Sequence, residues 1–223
     1  MPQTQDKKEE LPFRLNIFGG SQVHPRLALV YLLAAGSGIL FLMFVLLFIR
    51  HLHVQAKQPD FMLMLESGII KQPFLPRAFV WSTLLMIGSG ILMAACMRAF
   101  RKGILRSALY SLSGTLGLGL LFVLVQILAW VQLFSQGVFF AGGYGGGAYL
   151  YFFSGLHLLH IIAGFVLLGE RFLTFRRYSG DAADELIFTT NPFELTKTRV
   201  AAFWWHYTDV VWLLLFLVFT FVL

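Results

Sequence analysis

The chain has 223 residues, 58% of them apolar and only 13% charged, with 24 phenylalanines and a mean hydropathy of +0.75. A soluble domain of this size could not bury that much apolar surface, so the composition excludes a soluble globular fold and points to a membrane protein. The net charge of +6 and isoelectric point near 9.7 would suit a nucleic-acid binder, but the basic residues lie between apolar runs, where they read as topology signals and headgroup contacts; nucleic acid is set aside as a partner.

Residues 1–26 form a polar arm of mixed charge, broken by Pro12 and Gly19-Gly20. We expect it to be loose, with a short interfacial piece around Phe13 to Phe18. It holds no short apolar segment followed by a small-residue cleavage site, so the first span is expected to direct insertion itself. Residues 27–223 are expected to form a single domain, an all-α bundle of five transmembrane helices at about 27–49, 78–97, 109–134, 149–170 and 200–222, each long enough to cross a hydrocarbon core of about 30 Å.

The first helix carries Gly36, Ser37 and Gly38 at its centre and the second Gly88, Ser89 and Gly90, small residues that allow close helix contact. Between these helices, Phe61 to Ile70 is too short to span and carries Glu66, so it reads as an interfacial or partly buried segment. The third helix has Gln126 in its second half, expected to make one interhelical hydrogen bond. The charge-free stretch after it, SQGVFFAGGYGGGA, reads as a glycine-rich mobile loop. The segment from Arg171 to Arg199 is the most polar part of the chain and reads as a long loop before the last helix.

Counting basic residues orients the bundle. Lys7, Lys8, Arg14, Arg26, Arg98, Arg101, Lys102, Arg106, Arg171, Arg176, Arg177, Lys197 and Arg199 fall on one side, against Arg50, Lys57, Lys71 and Arg77 on the other. The N-terminus is therefore expected in the cytoplasm and the C-terminus on the periplasmic side. The single cysteine, Cys96, rules out an intrachain disulfide framework. No Walker loop, dinucleotide fingerprint, CxxC or HExxH occurs.

Polar groups inside the apolar runs carry the functional signal, because each needs a partner there. His157 and His160 in the fourth helix are three apart. Imidazoles can ligate haem iron or copper, but one haem takes axial ligands from opposite faces of its ring, so the pair is read as hydrogen-bonding neighbouring helices. Glu170 and Arg171 at the end of that helix read as a boundary ion pair, with proton relay the alternative. The fifth helix carries Trp204, Trp205, His206, Tyr207, Thr208, Asp209 and Trp212. Asp209 needs a partner, either His206 on its own helix or a histidine on the fourth; His160 stands at a similar depth. Trp204, Trp205 and Tyr207 suit an interfacial belt, and Trp212 suits packing.

GLHLLHIIAG and FWWHYTDVVWLLLF resemble two signature stretches of subunit III of the haem–copper oxidases. The first matches that family's pattern at Gly155, His157, His160 and Gly164, with Leu158 where the family has glycine. The second matches at Trp205, His206, Asp209 and Trp212, with Tyr207 in a phenylalanine place. The likeness also runs through residues 76–134. It implies a short five-helix form: a subunit beside the catalytic subunit I, with subunit II and a small subunit IV in the same complex, of a bacterial terminal oxidase in the inner membrane.

The resemblance further implies that the complex oxidises cytochrome c, reduces oxygen to water and pumps protons. Haem and copper would lie in partner subunits, with none bound directly by this chain, while phospholipid would occupy a cleft with helices one and two forming one side and Glu170, Arg171, Trp204 and Tyr207 as lipid or interfacial contacts. His157, His160, His206 and Asp209 would then be a structural polar network, with Gly155, Gly164, Trp205, Trp212 and Gln126 in helix packing and no catalytic or metal-binding residue. Two family carboxylates are missing: Ser37-Gly38 and Ala129-Trp130 stand in their places, so a proton-uptake role resting on them does not carry over. Rival readings are the same subunit in a quinol oxidase or beside a nitric oxide reductase, a haem-b electron carrier and a small transporter. The last is disfavoured by the absence of broken helices and of an inverted repeat.

Overall fold

The computed structural model describes residues 15–16, 22–23, 25–68, 75–140 and 145–222. The elements run β1 (Leu15–Asn16), β2 (Gln22–Val23), α1 (Pro25–Gln55), α2 (Pro59–Glu66), α3 (Arg77–Arg101), α4 (Leu105–Ser135), α5 (Gly145–Tyr178), α6 (Ala182–Thr190) and α7 (Pro192–Val222). Among the described residues, five of the seven helices, α1, α3, α4, α5 and α7, are long and apolar enough to cross a membrane. The N-terminal arm is not wholly irregular: Leu15 pairs with Val23 and Asn16 with Gln22 in a two-residue antiparallel ladder. Most of the expected interfacial piece there lies outside the described residues.

The helices α3, α4, α5 and α7 close into a ring in which each packs on its neighbours, and α1 lies outside it against α7 and α5. This corrects the expected grouping. Helices one and two of the sequence, α1 and α3, do not stand together as one wall of a cleft; α3 belongs to the ring, with α4 and α7 as its main neighbours. The reason lies in the small side chains. Ser82, Ser89 and Gly90 of α3 are buried in the ring, whereas Gly36 of α1 meets no neighbouring atom within 4 Å and Gly38 faces only the Tyr207 ring.

The α3–α4 and α4–α5 connections each begin with a glycine of left-handed backbone. Gly103 (φ 74°) and Gly137 (φ 78°) follow the last turns of α3 and α4. Ile104 N–H donates to Ala99 O at 3.0 Å and Val138 N–H to Leu133 O at 3.1 Å, which satisfies carbonyls the helices would otherwise leave open. The stretch beyond Gly137 is not all loop. Gly145, Gly146 and Gly147 already belong to α5, and a Cβ on Gly147 would stand 2.6 Å from Val138 Cγ1. Close approach explains that glycine; residues 141–144 lie outside the described residues.

The polar segment after the fourth span is also largely helical. α5 has 34 residues and α7 31, about 50 and 46 Å at 1.5 Å per residue, so both extend past a hydrocarbon core of about 30 Å. α6 packs between their ends: buried Phe188 stacks on Tyr178 at 4.7 Å and meets Phe100 and Phe175 edge-on. From α6, Glu185 Oε1 accepts the Leu105 N–H at 2.5 Å, placing a carboxylate at the N-terminus of α4. The Phe61 to Ile70 segment forms α2 with Phe61 buried, its last residues lying outside the described ones.

Candidate functional site

The centre of the ring is built on two tryptophans of α7, seven residues apart and therefore on one face. Trp205 and Trp212 are both fully buried. Trp205 donates its Nε1–H to Ser89 Oγ on α3 at 3.1 Å. Its six-membered ring lies in a slot between two glycines: a Cβ on Gly119 of α4 would be 2.8 Å from it, and one on Gly164 of α5 2.9 Å. Trp212 repeats the arrangement two turns on. It donates to Thr83 Oγ1 on α3 at 3.1 Å, lies parallel to Phe79, meets Phe122 of α4 edge-on at 5.0 Å and packs on the His157 ring of α5 at 4.9 Å. Each indole thus joins α7 to all three other ring helices. Of the two places expected for Trp205, the interfacial belt and helix packing, the indole takes the second, because Gly119 and Gly164 leave room for it in the core.

The two α5 histidines face different neighbours. His157, fully buried, reaches the Thr208 carbonyl of α7 with Nε2 at 3.1 Å. A carbonyl only accepts, so Nε2 carries the proton, and Nδ1 has no partner among the described residues. His160 turns toward α1. Its Nδ1–H donates to Leu156 O at 2.9 Å, and its ring stacks on Trp204 at 5.8 Å and tilts against Phe41. Trp204 Nε1–H returns a bond to the His160 carbonyl at 3.0 Å. Close by, Tyr207 and Ser37 share a hydrogen bond of 2.7 Å, the one side-chain bond described between α1 and α7.

Asp209 is paired within its own helix, with His206 Nδ1 3.4 Å from Oδ2. The expected contact between His160 and Asp209 is not formed. Similar depth does not bring them together, because Asp209 points at Gly90 of α3, where any Cβ would collide with its carboxylate. His157, His160, His206 and Asp209 therefore make three separate arrangements rather than one network.

Gln126 is buried, but neither amide atom has a partner among the described residues, so its expected interhelical bond is absent. One turn further along α4, Trp130 does bond to α5, donating its Nε1–H to Ser154 Oγ at 2.9 Å. Gly155, expected in helix packing, has open space where its Cβ would stand.

Glu170 and Arg171 do form an ion pair, at 2.9 Å, within a larger cluster. Arg171 is only 2% exposed and also binds Glu194 of α7 at 2.6 Å. Lys197 reaches Glu194 at 3.3 Å and Glu170 at 4.0 Å. Sequence reasoning did not single out Glu194 or Lys197 as partners. The signal available was their i,i+3 spacing, which places both on one helix face. Among the described residues, no three His, Cys, Asp or Glu side chains converge in a group that could hold a metal ion.

The geometry makes the two motif stretches of α5 and α7 into interlocking surfaces, and comparison with known proteins identifies them. The family model for cytochrome c oxidase subunit III matches residues 40–222. The chain belongs to that family. Cytochrome c oxidase subunit 3 of Marchantia polymorpha is 30% identical over 138 residues, covering 60% of this chain and 46% of the relative. The probable cytochrome c oxidase subunit 3 of Rickettsia prowazekii (strain Madrid E) is 30% identical over 135 residues, covering 60% and 44%. That of Cyanidium caldarium is 27% identical over 161 residues, covering 68% and 53%. The chain spans about half the length of the curated relatives it matches. Every interlocking contact of α3, α4, α5 and α7 described above falls within the matched region of this subunit III-like chain.

Proposed function

We propose that the chain is the non-catalytic third subunit of a bacterial haem–copper terminal oxidase, seated against catalytic subunit I in the cytoplasmic membrane. The parent complex oxidises cytochrome c, reduces oxygen to water and pumps protons, and its haem and copper lie in partner subunits. The observation that carries this reading is the use to which the two motif stretches are put. Trp205, Trp212, His157 and Gly164 are spent on joining helices to one another, so the chain offers subunit I a stiff helical surface and stabilises it by packing.

Subunit II and a small subunit IV complete the assembly. The N-terminus lies in the cytoplasm and the C-terminus on the periplasmic side; in support, the basic clusters of α3, α5 and α7 gather at one end of the bundle. Glu170 and Arg171 border a groove between α1, α5 and α7 with apolar Leu29, Val30, Leu167 and Val200 on its walls, which suits a structural phospholipid.

The test is affinity purification of the tagged chain from native membranes in mild detergent, with identification of co-purifying subunits and a reduced-minus-oxidised spectrum. A haem-bearing subunit I together with a subunit II carrying a copper domain supports the reading. A subunit II without copper makes the complex a quinol oxidase. A colourless preparation without subunit I refutes the assignment.

A further inference from the structure

Among the described residues, three buried polar atoms without a hydrogen-bond partner belong to just two side chains: Nε2 and Oε1 of Gln126 on α4, and Nδ1 of His157 on α5. Gln126 is 1% exposed and His157 fully buried, so neither can turn outward to find a partner. A buried polar atom left in that condition carries the full desolvation penalty, which makes a shared partner for the two residues the first thing to look for.

The contacts on either side of Gln126 place it beside His157. Phe122, Gln126 and Trp130 are four apart along α4 and share one face. Phe122 meets the His157 ring edge-on at 5.7 Å. Trp130 donates to Ser154, three residues before His157 on α5, at 2.9 Å. The two helices therefore run in opposite directions here, and Gln126 stands between those two contacts, against the face of α5 that carries Ser154 and His157.

The unmet groups are one donor and two acceptors. His157 donates its Nε2–H to Thr208 O at 3.1 Å, which leaves Nδ1 a bare acceptor. Gln126 adds a second acceptor in Oε1 and a donor in its Nε2–H. The nearby hydroxyls are already committed: Ser154 donates to Leu150 O at 2.6 Å and Thr208 to Trp205 O at 2.7 Å. A direct bond from the amide to Nδ1 would still leave Oε1 unmet. One water molecule supplies the complement, two hydrogens to give and a lone pair to receive. A primary amide presents its N–H and C=O side by side, so a single water can accept from the first and donate to the second. Its other hydrogen is then free for Nδ1. That makes three bonds, the usual number for a buried water.

We infer that one structural water is bound inside the ring, held by Gln126 Nε2–H and Oε1 on α4 and by Nδ1 of His157 on α5. His157 then joins three helices: it sits on α5, bonds α7 directly through Nε2 and reaches α4 through the water. Polar bonds of this kind hold helices together where apolar burial does not. The inference rests on the packing of α4, α5 and α7 and does not depend on the oxidase reading. It gives Gln126 its interhelical link through water rather than directly.

The test is a cryo-electron-microscopy map of the complex in which the chain purifies, at a resolution that shows ordered water, for the native chain and for Gln126→Leu and Ser154→Ala. The native map is expected to show one peak about 2.7–3.2 Å from both His157 Nδ1 and the Gln126 amide. Gln126→Leu should lose the peak, and Ser154→Ala, which breaks only the neighbouring Trp130 bond, should keep it. Proton-detected solid-state NMR of the complex with ¹⁵N-labelled histidine gives an independent readout on the native chain: magnetisation should pass from water protons to His157 Nδ1. No peak in the native map, a direct contact between the amide and Nδ1 at that distance, no transfer from water to Nδ1, or a peak unchanged in Gln126→Leu would each overturn the inference.

Discussion

The slot that holds Trp205 gives the sharpest test of how this fold is fixed. Gly119→Ala adds one methyl group, placed 2.8 and 2.9 Å from two atoms of the indole and 3.1 Å from Phe165. The indole has little room to retreat, because its ring also packs so closely on Gly164 of α5 that a Cβ there would stand 2.9 Å from it, and its N–H is tied to Ser89 on α3. Overpacking of a closed site costs about 1–3 kcal/mol, and the gain in helix propensity from glycine to alanine returns at most about 1 kcal/mol. A net loss of about 1–2 kcal/mol is expected. Trp205→Phe alone should cost about 2–3 kcal/mol, through the lost hydrogen bond and the lost ring volume. Its shorter side chain also removes the obstacle, so the double variant should be more stable than the sum of the two losses by about 1 kcal/mol or more. The assay is reversible unfolding in mixed micelles, followed by tryptophan fluorescence and circular dichroism. Strict additivity, or a Gly119→Ala variant as stable as the native chain, would refute the account of Trp205 as the peg between α4 and α5.

The remaining expectations concern other joints of the same structure. Trp212→Phe keeps the aromatic contacts with Phe79 and Phe122 but leaves the Thr83 hydroxyl without its donor; a loss of about 1–2 kcal/mol in the same unfolding assay is expected, and pairing it with Thr83→Val should recover part of it. Arg171→Met removes the cation at the middle of the Glu170–Arg171–Glu194 cluster and should cost about 3 kcal/mol, because Glu194 then keeps only Lys197; raising the salt concentration should narrow the gap between variant and native chain only slightly, since Arg171 is shielded from solvent. Tyr207→Phe and Ser37→Ala each break the one hydrogen bond described between α1 and α7. Each should speed amide exchange or protease cleavage in α1 alone, with the ring helices unaffected, and the double variant should match either single one.

The five spans were legible because each contains a long run without charges, and such a run has few alternatives in a chain of this composition. Their ends were not legible by the same signal. Past Glu170, α5 leaves the apolar register and continues as RFLTFRRY, where hydropathy falls although Phe172 and Phe175 still carry helical spacing. Gly145 to Gly147 misled in the opposite direction, since glycine in a membrane protein marks close approach as often as flexibility. Depth along a helix could be counted from the sequence, which is why His160 and Asp209 were expected to meet. Rotation about the helix axis could not, and it is rotation that turns His160 to Phe41 and Trp204 and Asp209 to Gly90.

The same distinction accounts for Gln126. That a buried amide takes a partner is a rule about populations, and at this position neither amide atom finds one among the described residues. What sequence could have revealed is the pairing of Trp205 with Trp212, seven apart, opposite Gly119 and Gly164. In a bilayer, apolar burial does not by itself hold one helix to another, so association rests on shape and on hydrogen bonds between helices. A large rigid indole with one donor, set against a glycine and a hydroxyl, supplies both at once. Trp205 finds Gly119, Gly164 and Ser89; Trp212 finds His157 and Thr83. The motif residues that could be mistaken for a redox site are thus the ones that make α7 the common partner of α3, α4 and α5, and a bundle locked through its last helix is suited to serve as a fixed surface for a larger subunit.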